Sequence, residues 1–150
     1  VTRTSSQQAN AAWEALLTAH AALMKRFAAN DIWHGTTMRE YDVLYALSKC
    51  EEPLRLAELN DYVLLSQPAL SRMVDRLVER GLVHRDRDPR DKRGVRLALT
   101  EDGKATQRRI GGRHAVDVAR AMKATLTDDE MRELERLCRK LAHQHQEDTP

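Results

Sequence analysis

Aromatic residues are scarce in this chain: two Trp, three Tyr and one Phe among 150 residues. Sandwiches and barrels of strands draw on more aromatics than this, whereas a helical protein does not need them. The two cysteines, Cys50 and Cys138, form no Cys-x-x-Cys pair and no disulfide framework, so a reducing, cytoplasmic setting is expected. Six glycines and four prolines are too few for a collagen-like or low-complexity chain. No apolar run is longer than a few residues, so no segment is expected to span a bilayer. No basic start followed by an apolar stretch suggests a secretory signal. The motifs of common catalytic sites are missing too: no G-x-S-x-G, no phosphate-binding glycine loop and no H-E-x-x-H. His143 and His145 lie near Cys138, but residues two apart on a helix point away from each other, so no metal site is expected. The chain is read as a non-enzyme without a cofactor.

What remains is a composition of 41% hydrophobic and 32% charged residues, that of a globular protein with one core. The net charge of +2 is unevenly spread. Residues 66–96 carry nine basic and five acidic side chains, a local excess of +4, which leaves −2 for the rest. A basic segment on a slightly acidic body suits an anionic partner, with nucleic acid first; the alternative is a solvated charged face.

Apolar residues at helical spacing (Trp13, Leu16, Leu17, His20, Leu23, Met24, Phe27) predict a helix over 11–29. Within that stripe, His20 reads as a packed, hydrogen-bonded histidine. Thr37-Met38-Arg39-Glu40 is a capping box opening a second helix to about Lys49, with Val43, Leu44 and Leu47 inward. A short helix follows at about 56–62, where Arg55 stands in place of a good cap. Ser66 then caps a helix over 67–80, with Pro68 in its first turn, where the missing N–H costs little. Gly81 ends it in a Schellman motif, with Leu82 as the apolar partner. Strands are expected at 82–86 and 94–99, joined by a tip (87–93) that lacks any large apolar residue and is therefore exposed. Thr100 caps a long helix, with a bend expected at Gly111-Gly112. Thr127-Asp128-Asp129-Glu130 opens the last helix, with Met131, Leu134, Cys138, Leu141 and His145 on one side. Cys138 is expected in the core, and the polar tail after 146 is expected to be disordered.

Helix, short helix, helix and hairpin, over 37–100, is the order of a winged helix-turn-helix, giving a mainly α fold with a small β-hairpin wing. In that design the third helix enters the major groove, and the hairpin tip reaches the backbone or minor groove of double-stranded DNA. Ser66, Gln67, Pro68 and Ser71 lie near the start of that helix, followed by Arg72 and Arg76. Arg90, Lys92 and Arg93 lie on the tip. The alternative is a winged helix used only for protein contact.

Two segments carry a more specific resemblance: ALSRMVDRLVERGLVHR over 69–85 and DPRDKRGVRLALTEDG over 88–103. They resemble the MarR (multiple antibiotic resistance regulator) family, densely over about 54–104. Val63-Leu64-Leu65 lacks the glycine often found before that family's recognition helix. The resemblance implies a transcriptional regulator, with repression ahead of activation or effector-independent binding. It implies a palindromic operator and a homodimer built from helices at 11–29 and 101–145, all in a single domain over 1–150. Trp13, Leu17, Leu134, Cys138 and Leu141 are then expected at the dimer interface. Arg93 matches the family's wing-tip arginine, and Asp91 the aspartate that helps to hold it. The family's effector crevice would draw here on His20, Met24, Trp33, Met38, Arg39 and His114, a mixture suited to a small aromatic acid.

Overall fold

The computed structural model describes residues 4–91 and 94–144, with side chains to Ala142. The expected positions Lys92, Arg93 and His145, and the tail after 146, lie outside the described residues. The elements run α1 (Ser5–Ala28), α2 (Met38–Ser48), β1 (Leu54–Arg55), α3 (Leu56–Asn60), α4 (Gln67–Glu79), β2 (Val83–Arg87), β3 (Val95–Leu99), α5 (Glu101–Lys123) and α6 (Asp128–Gln144). They form two compact units that part within α5, one ending at Arg113 and the other beginning at His114.

Most helix boundaries follow from the caps that the residues provide. The Thr37 hydroxyl accepts the Glu40 N–H (3.2 Å), and the Glu40 carboxylate accepts the Thr37 N–H (2.9 Å). The same reciprocal pair joins Thr127 and Glu130 at α6. Helix α1 begins six residues earlier than expected, because Thr4 and Gln7 form a further capping box. Helix α3 starts without a side-chain cap from Arg55, yet Glu58 still accepts the Arg55 N–H at 2.6 Å. At the end of α4, Gly81 takes φ +70°, the Leu82 N–H bonds the Leu77 carbonyl (2.9 Å) and the Gly81 N–H bonds that of Val78 (2.9 Å). These are the two bonds of a Schellman motif.

Strand β1 was not expected. It adds an edge to the hairpin, giving an antiparallel sheet ordered β1-β3-β2, with Leu54 opposite Leu97 and Val83 opposite Leu99. The core of this winged part is Val43, Leu44, Leu47, Leu59, Leu70, Val74, Leu77, Val83, Leu97 and Leu99. Helix α5 leaves the sheet through Thr100, whose hydroxyl accepts the Gly103 N–H (2.9 Å) and donates to the Gly81 carbonyl (2.6 Å). A Cβ on Gly103 would overlap the Leu82 carbonyl oxygen, so the close packing of α5 on the hairpin requires glycine. Helix α5 is continuous through Gly111-Gly112. Gly111 serves a close approach, since a Cβ there would stand 2.9 Å from the Tyr41 hydroxyl.

Candidate DNA-binding interface

Helix α4 presents its first turns outward because its opposite face is spent on the core. Leu70, Met73, Val74 and Leu77 are buried, while Ser66, Gln67, Pro68, Arg72 and Arg76 are exposed. Ser71 is half-buried, less open than its neighbours. The Ser66 hydroxyl accepts the Ala69 N–H at 3.4 Å, which leaves the helix start and its positive dipole end facing solvent.

A buried carboxylate also ties the C-terminal end of α4 to α2. Glu40 is only 6% exposed. Besides capping α2, it pairs with Arg80 (3.2 Å) and, more loosely, with Arg76 (3.6 Å). Arg80 also donates to the Thr36 hydroxyl (3.2 Å). A second tie, between Arg85 of β2 and Asp75 of α4, holds the hairpin to the helix. Glu40 was legible in the sequence only as a cap; its role toward α4 depends on residues some 40 positions away.

The wing departs from the exposed tip expected over 87–93. Asp88 is buried, with its side chain fully covered. It accepts Nε (2.8 Å) and Nη2 (2.5 Å) of Arg55, pairs with Nε of Arg96 (3.2 Å) and accepts the Arg90 N–H (2.9 Å). Chiefly through the Arg90 N–H, and then the two guanidinium groups, its carboxyl is pulled down to about 2. The Asp88 N–H also bonds the Gly94 carbonyl (2.9 Å), and the Gly94 N–H bonds that of Asp91 (2.9 Å), so the loop is closed at its base. Arg90 and Asp91 remain exposed.

A cleft of about 500 Å³ opens between α1, α2 and the 62–65 loop. It joins three of the six expected pocket residues, His20, Met24 and Arg39, with Asp42, Tyr45, Lys49, Tyr62 and Leu64. His20 is exposed there, rather than packed. Trp33 and Met38 do not line this cleft. Both are buried, and Trp33 Nε1 donates to the Phe27 carbonyl (3.2 Å), so they pack the α1–α2 corner. His114 lies in the second unit. Burial raises the Asp42 carboxyl, with Arg39 opposing. On another side of α2, an opening of about 600 Å³ is walled by Cys50, Glu51, His84, Lys104 and Arg108.

Of the five expected interface residues, Trp13 (59%), Leu17 (47%), Leu134 (38%) and Leu141 (53%) stand open in the single chain. Cys138 is exposed as well, which corrects the expectation of a core cysteine: it lies on the α6 face that also carries the open Leu134 and Leu141. No described helix is long and apolar enough to cross a membrane, and no described cluster of His, Cys, Asp and Glu could hold a metal ion.

A family model described as MarR family matches residues 34–94. The multiple antibiotic resistance protein MarR of Salmonella typhimurium is 34% identical over 105 residues, covering 70% of this chain and 72% of that protein. Among solved structures, AbsC of Streptomyces coelicolor, a MarR family transcriptional regulator, matches with a TM-score of 0.79 at 26% identity, over 99% of both chains. Sco3205 of the same organism, solved in complex with DNA, matches with a TM-score of 0.77 at 28% identity, over 95% of this chain and 89% of that one. With its mainly α fold, its winged helix-turn-helix and these relatives, the chain belongs to the MarR family of DNA-binding transcriptional regulators.

Proposed function

We propose that the protein is a homodimeric repressor that occupies a palindromic promoter operator and releases it when a small aromatic acid binds. The carrying observation is the joint presentation of the α4 start and the wing, with Arg85–Asp75 tying the wing to α4, Glu40–Arg80 tying α4 to α2 and Asp88–Arg55 tying the wing to β1. Gln67 then reads base edges, with Ser66, Ser71, Arg72 and Arg76 in support. Arg90, Lys92 and Arg93 follow the backbone or minor groove, with Asp91 orienting Arg93. Two-fold symmetry sets half-sites about one helical turn, roughly 10 bp, apart.

The dimer reading is supported by the open apolar residues of α1 and α6, since exposed patches of that kind mark contact surfaces. The effector reading is supported by the His20–Met24–Arg39 cleft, where tyrosines and Met24 offer apolar contact and Arg39 a partner for a carboxylate. Selection of bound duplexes from a random pool, with and without salicylate-like acids, tests all three parts. It should return a symmetric site whose occupancy falls with the acid while the melting temperature of the free protein rises. An asymmetric consensus would contradict the dimer, an unchanged occupancy the effector, and no enrichment DNA reading itself.

A further inference from the structure

The basic side chains of the recognition helix and hairpin fall into two sets. Arg80 is held by Glu40 and Thr36, Arg76 lies 3.6 Å from Glu40, Arg85 is held by Asp75, and Arg96 by Asp88. His84 pairs with Asp86 at 3.0 Å. Among the described residues of 66–96, Arg72, Arg87 and Arg90 are the arginines whose side chains make no ion pair. Arg72 and Arg90 belong to the helix and the tip already discussed. Arg87, the first residue of the tip expected from the sequence, is in the structure the last residue of strand β2.

Its position is set by strand alternation. Val83, Arg85 and Arg87 share one face of β2, since successive side chains point to opposite sides. Val83 at the start of that row is buried in the core, and Arg85 reaches Asp75 on α4. Arg87, one step further out along the same row, lies opposite Val95, which is itself exposed. Arg87 is exposed too, and its backbone is fixed by the sheet rather than by the loop. Its own neighbour Asp88 is buried and committed to Arg55 and Arg96. A free guanidinium on a rigid strand, on the α4 side of the hairpin and between helix and tip, is placed for a backbone phosphate.

We infer that Arg87 is a DNA-phosphate contact bridging the footprints of the recognition helix and the wing tip, and that Arg85 beside it is not. This rests on the DNA-binding role of the family. A phosphate contact carries no sequence information, and each one formed releases condensed counterions and adds about 0.9 to the magnitude of the slope of log K against log salt.

The test compares Arg87→Gln with Arg85→Gln on a mixed-sequence duplex, titrated at several salt concentrations. Both substitutions remove one positive charge from the same strand face, so a general field effect would move both equally. The expected result is that Arg87→Gln lowers the slope by about one unit, that Arg85→Gln moves it by less than half as much, and that Arg87→Lys restores most of the loss. Equal changes for the two variants, or an unchanged slope for Arg87→Gln, would overturn the assignment. If Arg87→Gln shifts the melting temperature, Arg87→Lys still decides: a wild-type slope supports the contact, and the slope of Arg87→Gln contradicts it. A wild-type protein without salt-dependent binding would instead contradict the DNA-binding role itself.

Discussion

In the winged part, Leu44, Leu59, Leu70, Val74 and Leu77 are completely withdrawn from solvent, whereas on α1 and α6 Trp13, Leu17 and Leu141 keep about half of their surface open. Both regions carry apolar residues at helical spacing, so periodicity alone does not distinguish them. The difference lies in what each stripe meets. The winged part closes its stripes against a three-stranded sheet and against one another, and fully burying each large apolar side chain contributes about 1.5–3 kcal/mol. Helix α1 buries only Phe27 among its 24 residues. Helix α6 covers its polar side with local pairs, Arg136–Glu133 and Arg139–Glu135 at 2.7 Å and Arg132–Asp129, which contribute a few tenths of a kcal/mol each. A helical pattern therefore announces a buried face without saying whether the cover comes from the same chain.

The sharpest way to break this contrast is a cavity in the winged core. Leu77→Ala removes a side chain with no exposure and should cost about 2–5 kcal/mol in denaturant unfolding. A loss below about 1 kcal/mol would mean that the core is not packed as described. Gly103→Ala comes next, since its new methyl meets backbone rather than a flexible side chain. It should cost about 1–3 kcal/mol and separate α5 from the hairpin, seen as faster hydrogen exchange at the Thr100 amide. Leu17→Lys and Leu141→Lys should leave the far-UV spectrum of the chain intact and weaken self-association instead, because neither side chain is covered in the single chain. Loss of helix content at low protein concentration would place those residues in a core of their own.

A smaller and pH-dependent effect separates the wing from the rest of the winged part. The Asp88 carboxyl lies at about 2, below its ordinary 3.8. A lowered carboxyl stabilises the fold fully above the unfolded value and loses that contribution as pH falls through the folded one. The stability difference between the wild type and Asp88→Asn should therefore be constant at neutral pH and shrink between about pH 4 and pH 2. A difference that stays flat across that window would show that the Arg90 N–H and the Arg55 and Arg96 guanidinium groups do not hold the Asp88 carboxylate in solution.

Features encoded within four or five residues could be read directly. The Thr37–Glu40 and Thr127–Glu130 boxes, the Ser66 cap and the Gly81 Schellman turn satisfy backbone groups locally, and all four appear in the structure. Strand β1 escaped because two residues cannot show a period, and its partners Arg96 and Leu97 are about 40 positions downstream. Asp88 escaped for a related reason. In a stretch of alternating charges a carboxylate reads as solvated, and only the folded chain brings Arg55 against it. The cleft was half legible: His20, Met24 and Arg39 meet, but Trp33 and Met38 turn inward because the α1–α2 corner needs filling. The stripe of α6 reads from the sequence as part of a dimer interface and Cys138 as a core residue as well; in the single chain Cys138 is exposed, because a helical period does not say which partner covers its apolar side.

Sedimentation equilibrium over a wide concentration range decides whether a second copy of the chain covers the apolar rows of α1 and α6. Twice the chain mass is expected at micromolar protein, with dissociation promoted by Leu17→Lys and Leu141→Lys and not by Gln67→Ala. A single-chain mass at every concentration, with Trp13, Leu17 and Leu141 still in water, would contradict it.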